Sequence, residues 1–383
     1  MDFDLTDEQN RILALAREVA ASAVLPRAAE TDRTGAWPAE VVAALGRAGL
    51  LGLNVPTAYG GRGADALSCA LAIEELSAAC ASSGAIVSVH NSLCCDPLSR
   101  FGTEQQKQSL LRALASGTSF GTSALTQEPC DAEAFALTAQ VQDSERGFVL
   151  SGSVQAVVGA AYADWILVVA SVAGSTPGLR GGGPTAFVVS MSSGGVRAGP
   201  AEPMVGARAA HVGAVHFDQC AVSATQVLGD VGGGLRVAQA TRDSGRVAVA
   251  CQAVGIARAA FEESVEFAAA DARTSAARAD SQGLALVLAD MATEIDAARM
   301  LALRAAIART SSEPARAECS MAKVYATEMS ARVADKAARM RGYSGLLANA
   351  PAQRHGRDAR VTEVFEGPSD IQRSIIASDL LAQ

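Results

Sequence analysis

Between about residues 121 and 228 the chain abandons helical periodicity, and it takes that period up again afterwards. This switch constrains the fold of the 383 residues more than any single motif. Before it, apolar residues recur at helical spacing. Thr6 with Gln9 three positions on forms a capping box, Asp7 and Glu8 sit where the helix dipole favours negative charge, and Ile12, Leu13, Leu15, Ala16 and Val19 follow until Pro26. Further helices are expected at about Ala39 to Leu50, Leu67 to Ala79 and Glu104 to Ser116, with turn residues at Asn54-Val55-Pro56 and Tyr59-Gly60-Gly61-Arg62-Gly63. From 121, Gly, Ser, Thr and Val rise. Runs such as Gly147 to Leu150, Trp165 to Val169 and Ala186 to Val189 read as strands, and Arg180 to Pro184 as a glycine-rich loop. Helices return over roughly 234–272, 284–309 and 314–340, Pro314 opening the last. The expected organisation is a helical domain over 1–120, a β domain over 121–228 and a helical domain over 229–383.

Composition narrows the function. A 49% apolar content is enough to bury a sizeable core. A net charge of −8 and an isoelectric point near 5.2 argue against nucleic acid as a partner, since phosphate binding needs a basic surface. Mean hydropathy is +0.19, yet the longest apolar run, Trp165 to Val172, falls far short of the ~18–20 residues that span a bilayer. No membrane span is expected. The opening MDFDLTDEQN has no charged-then-apolar prefix, so the expectation is a cytoplasmic protein. Eight cysteines at 69, 80, 94, 95, 130, 220, 251 and 319 show no CxxC spacing, and the four histidines form no HExxH pattern. No metal site is expected. Gly229, Gly232, Gly233 and Gly234 precede a helix but lack both the lysine of a phosphate loop and a clean GxGxxG.

The informative stretch runs from Arg357 to Arg373, RDARVTEVFEGPSDIQR. Glu366 falls on a tight turn with Gly367 behind it and a helix starting near Ser369. Phe365 and Val364 beside a carboxylate would desolvate it and raise its pKa, as a general base needs. The backbone N–H of Gly367 or Glu366 is placed to polarise a substrate carbonyl. Asp243 and Arg246 lie three apart on an expected helix, hence on one face.

VTEVFEGPSDIQR resembles the signature of the acyl-CoA dehydrogenases, most closely the short-chain group. LTDEQ at the start, VPTAYGGRG (55–63), IEELS (73–77), HNSL (90–93), FGTEQQK (101–107) and RHGRDAR (354–360) match that family along nearly the whole chain. The resemblance implies an N-terminal helical domain, a middle β-barrel domain and a C-terminal four-helix-bundle domain. It also implies α,β-dehydrogenation of an acyl thioester, acyl-CoA or acyl-carrier-protein, with FAD as hydride acceptor. Glu366 stands at the position of the base that takes the α-proton, and Asp243, Arg246 and Gly367 at substrate positions. Leu125, Thr126, Arg273, Gln282, Gly342 and Ser369 stand at cofactor positions. Implied partners are an electron-transfer flavoprotein and further copies of the chain, as a homotetramer or homodimer.

Several flavin-side strings depart from the family's pattern. ALTEPGxGSD becomes Ala124 to Asp131 without Gly-Ser-Asp, the aromatic that covers the flavin is Ala156, and the hydroxyl residue near it is Val158. R-x-x-F-G becomes Arg273 to Ala277, QxLGG becomes Arg339 to Tyr343, and Pro368 replaces a hydroxyl residue. Two alternatives therefore stand beside dehydrogenation. One is non-redox α-carbanion chemistry using the same base. The other is a partner subunit that completes a hetero-oligomeric dehydrogenase.

Overall fold

In the computed structural model, residues 4–125, 136–143, 147–172, 182–271, 281–310 and 315–381 are described. The Thr6 capping box is present: Gln9 N–H donates to Thr6 Oγ1 and Thr6 N–H donates back to Gln9 Oε1. It opens α1 (Asp7–Val19), which turns Ile12, Leu13, Ala16 and Val19 inward. There follow α2 (Ala28–Thr34), α3 (Ala39–Arg47), α4 (Ala66–Ala79), α5 (Ala81–Ser88), α6 (Asp96–Phe101), α7 (Glu104–Gln106) and α8 (Arg112–Ser116). Asp65 caps α4 by accepting from Ser68 N–H and is itself held by the Gln9 amide at 2.8 Å, so one side chain joins the starts of two helices.

Eight strands are described: β1 (Gly121–Ala124), β2 (Leu137–Asp143), β3 (Gly147–Val158), β4 (Trp165–Val172), β5 (Gly183–Ser190), β6 (Val196–Ala201), β7 (Val212–Val222) and β8 (Val227–Leu228). Pro184, expected in a loop, pairs with Ser171 inside β5. The sheet order is β6-β7-β3-β2-β4-β5-β8, with β1 alongside β4. Alternation along β4 and β5 sorts the side chains to two faces. Ile166, Val168, Phe187 and Val189 enter the core within the sheet, whereas Leu167, Val169, Ala186 and Val188 pack on Leu98, Leu111 and Leu114.

The chain returns to helix in α9 (Gly234–Asp271), α10 (Ser281–Ala308), α11 (Arg316–Met340), α12 (Pro351–Thr362) and α13 (Ser369–Leu381). The two helical blocks are not separate bodies. One continuous core takes Ile12, Leu45, Ile73 and Leu76 from the first together with Val254, Met291, Ala302 and Met329 from the last. Glu75 of α4 is gripped by both terminal nitrogens of Arg258 from α9, at 2.9 and 2.6 Å, and Glu74 accepts from Arg299 of α10 at 2.9 Å.

A smaller cluster lies where all three segments meet: Ala85, Val89, Leu93, Val158, Ala207, Val212 and Val361. The RHGRDAR string makes this joint. Arg357 donates both guanidinium nitrogens to Asp32, and Asp358 accepts the Ala207 N–H at 2.7 Å. Gly206 passes so close to Arg357 that a Cβ there would lie 2.2 Å from its carbonyl oxygen. Among the described residues, no helix is long and apolar enough to cross a membrane.

Candidate active site

At that three-way joint a cavity of about 400 Å³ opens, in the usual size range for small-molecule sites. Two helices supply one side. α5 contributes Ala85 and Ser88, and α9 contributes Gly245, Val249 and Gln252, a stripe at helical spacing. The sheet supplies the opposite wall through Ser123, Ala124, Gln155, Ala156 and Val158. Val361, Val364, Phe365, Glu366 and Gly367 close the third side.

Glu366 reaches this wall through an unusual backbone. Between the end of α12 and the start of α13 it adopts φ +57, followed by Gly367 at φ +92. The left-handed region costs a non-glycine residue roughly 1–2 kcal/mol, and such strain concentrates at functional sites. The carboxylate lies directly against α9. A Cβ on Gly245 would stand 2.6 Å from Oε2 of Glu366, so the glycine makes the room the carboxylate occupies. Val364 is 63% exposed and Phe365 is half-buried against the joint cluster, and Oε2 of Glu366 is itself shielded from solvent.

Asp243 and Arg246 flank Gly245 on α9 and pair at 2.9 Å. The pair is not a surface bridge, since Arg246 is only 1% exposed. Burial raises the Asp243 pKa, against the lowering pull of Arg246. Neither side chain is among the cavity-lining residues; they stand behind Gly245.

The expected cofactor residues are dispersed. Leu125 is buried immediately after the wall residues Ser123 and Ala124, its N–H donating to Ser123 Oγ. Ser369 is the first residue of α13, partly buried. Gln282 and Gly342 are exposed and lie outside the cavity. Thr126 and Arg273 fall outside the described residues.

Three site residues escaped the sequence reading, Gln155, Lys323 and Gln372, whereas Ala156 already stood at the position of the family's flavin-covering aromatic. Gln155 and Ala156 reach the cavity because β3 slips register against β7 between Val154 and Val157, with Ala156 left-handed at φ +54. Bulges of this kind re-aim side chains beside active sites. Beneath the Glu366 turn, Lys323 of α11 donates to main-chain carbonyls, and Gln372 of α13 does the same from the other side. Lys323 had left a trace: it sits on the stripe Cys319, Ala322, Ala326, Met329 and Val333 of an alanine-rich helix.

The wall suits the flat ring of a flavin. Small apolar groups at Ala156 and Val158 leave room for a planar ring opposite Glu366, and Ser123 and Gln155 offer polar groups at its edge. No group of three or more metal-ligating side chains is assembled among the described residues.

The sequence matches acyl-CoA dehydrogenase N-terminal, middle and C-terminal domains over residues 6–118, 124–220 and 232–381. It is 35% identical over 378 residues to the mitochondrial short-chain specific acyl-CoA dehydrogenase of Homo sapiens, covering 99% of this chain and 91% of that one. The fold is similar to the butyryl-CoA dehydrogenase of Megasphaera elsdenii at a TM-score of 0.92 and 32% identity, with both chains fully covered. It is also similar to the prolyl acyl carrier protein oxidase AnaB at a TM-score of 0.89 and 25% identity, covering 98% of this chain and 100% of that one.

Proposed function

The chain belongs to the acyl-CoA dehydrogenase family, and from that premise we propose that it oxidises an acyl thioester to the α,β-unsaturated thioester with Glu366 as the base. The observation that carries the reading is the left-handed turn that sets the Glu366 carboxylate on the cavity wall against Gly245. A thioester in the cavity presents its α-carbon to that carboxylate. The Gly367 N–H comes from the next peptide of the turn, so a carbonyl oxygen hydrogen-bonded to it would carry the charge that develops as the α-proton leaves. Ala85, Val89 and Val249 surround the acyl portion and exclude water from the carbanion. Asp243 and Arg246, which flank Gly245 and do not line the cavity, would act on the thioester arm only from behind that glycine.

Ser123, Leu125, Gln155, Ala156 and Val158 would hold FAD, which would supply the acceptor for the β-hydride. Thr126, Arg273 and Ser369 are proposed to hold it further out. Gln282 and Gly342, exposed and away from the cavity, would serve the cofactor of a second copy. The exposed Tyr343, Leu346, Leu380 and Leu381 support a C-terminal face that meets such a copy. Both acyl-CoA and an acyl-carrier-protein thioester suit this chemistry, and an electron-transfer flavoprotein would reoxidise the cofactor.

The test is exchange of the α-hydrogen of a bound acyl thioester in deuterated buffer. Glu366→Gln should abolish it while binding persists, and exchange at the wild-type rate would remove Glu366 from the base role. Ala156 and Val158, which offer neither an aromatic cover nor a hydroxyl, favour a second reading in which the α-carbanion is protonated, or displaces a leaving group from the γ-carbon, without oxidation. A visible spectrum after FAD loading and desalting separates the two. A stoichiometric flavin band is expected, and its absence together with retained exchange would select the second reading.

A further inference from the structure

Lys323 is completely buried in the first half of α11. A lysine is almost never fully buried unless its ammonium is held by polar partners. Here Nζ donates to the carbonyl oxygens of Glu363 and Gly367, each at 2.7 Å. These two carbonyls bracket Glu366. From the opposite side, Gln372 Nε2 donates to the carbonyls of Glu366 at 2.9 Å and Gly367 at 3.2 Å. Two flanking helices thus hold three carbonyls of a five-residue turn, and every hold is on main chain.

The geometry of the peptide makes this consequential. In a trans peptide the C=O and the following N–H point in opposite directions. With the Glu366 carbonyl turned toward Gln372, the Gly367 N–H faces away from α13. No hydrogen bond among the described residues uses that N–H, and Gly367 lines the cavity. The left-handed φ of Glu366 is the strained element of the same turn and needs external support to persist.

We propose that Lys323 is a positioning residue: by holding the carbonyls of Glu363 and Gly367 it fixes the backbone from which the Glu366 carboxylate and the Gly367 N–H reach the thioester. This rests on the reading of Glu366 as the base. The charged groups facing the ammonium are Glu363 and Glu366 from the turn, Arg246 from α9 and Glu328 from α11 itself. Burial depresses the Lys323 pKa to about 8; the three glutamates oppose that shift and Arg246 adds to it.

The experiment compares the wild-type chain with Lys323→Met and Lys323→Arg, using butyryl-CoA as probe. Two quantities are measured from pH 6 to 10: the dissociation constant and the rate of α-hydrogen exchange in deuterated buffer. Lys323→Met should keep the wild-type circular dichroism and bind the probe within about threefold of wild type, because it removes no contact to substrate. Its exchange should fall about 100-fold, the scale of a base displaced by about 1 Å. Wild-type exchange should decline as pH rises through about 8, and this limb should be absent in Lys323→Met. Lys323→Arg, permanently charged, should recover part of the rate without the limb.

Unchanged exchange in Lys323→Met overturns the proposal and leaves the base assignment standing. Binding and exchange falling together, in step with lost circular dichroism, assign the lysine a structural role only and overturn it as well. Should Lys323→Met fail to fold, Lys323→Gln, too short to hold both carbonyls, decides: exchange at the wild-type rate in folded Lys323→Gln contradicts the proposal. A wild type that exchanges no α-hydrogen at all overturns both readings together.

Discussion

A single missing methyl group decides where the proposed base can stand. Gly245 has the Glu366 carboxylate 2.6–2.7 Å from where its Cβ would be and a Leu93 methyl at 2.8 Å on another side, so both neighbours would have to give way. Gly245→Ala is expected to fold, since alanine is favoured over glycine inside a helix by about 1 kcal/mol. It should lower kcat by about 10- to 100-fold with KM nearly unchanged, the signature of an interaction made in the transition state. Steady-state kinetics check this, and an unaltered kcat would mean that the carboxylate works from a different position. The string around Glu366 was legible in the sequence because it is contiguous, and the structure puts that residue on the cavity wall. Lys323 and Gly245 were not, because their partners lie 40 and 121 residues away and the contacts fall on backbone or on empty space. The buried stripe of α11 marks the place of Lys323, but no local pattern encodes the partner of either.

At the scale of elements, periodicity served well and irregularity did not. The three long C-terminal helices and the main strand runs fall close to where spacing put them, since buried faces impose regular spacing on the sequence. The π turns at Ala20–Val24, Val89–Cys95 and Lys107–Leu111 and the bulge in β3 left no such mark. One π turn carries a joint between elements. His90 accepts the Gly121 N–H of β1 on Nδ1, which puts the ring proton on Nε2, facing the Leu114 carbonyl of α8 at 3.1 Å. Burial is the largest influence on the ring and depresses its pKa from 6.5 to about 4. The folded ring therefore stays neutral where the unfolded ring has already protonated. Its contribution to stability is fully present above pH 6.5 and is lost as pH falls toward 4, about 3 kcal/mol in all. Denaturant unfolding between pH 7 and 4 should show this loss, and His90→Gln should flatten it. Equal slopes in the two proteins would place the acid sensitivity elsewhere.

On the scale of the whole molecule, the shared core makes the two helical blocks one thermodynamic unit with the β segment set against it. Arg258 is the cross-tie whose removal tests this. Arg258→Met leaves Glu75 and Glu74 with less compensation in a largely buried position and should cost roughly 3 kcal/mol, as expected for breaking a buried ion pair from one side. Calorimetry should show α1 to α4 and α9 to α11 losing structure in one transition at a lowered temperature. A separate early transition confined to the N-terminal helices would instead mean that they fold on their own. The manner in which the Glu366 turn is held bears on how such a protein diversifies. Lys323 and Gln372 grasp carbonyls, which every amino acid has, and leave the side chains of Val364 and Phe365 out of the grip. Those side chains line the cavity. Under the proposed mechanism, substrate range can therefore be recut by point changes at 364 and 365 with the Glu366 turn left in register, so that selectivity and chemistry are free to evolve on separate schedules.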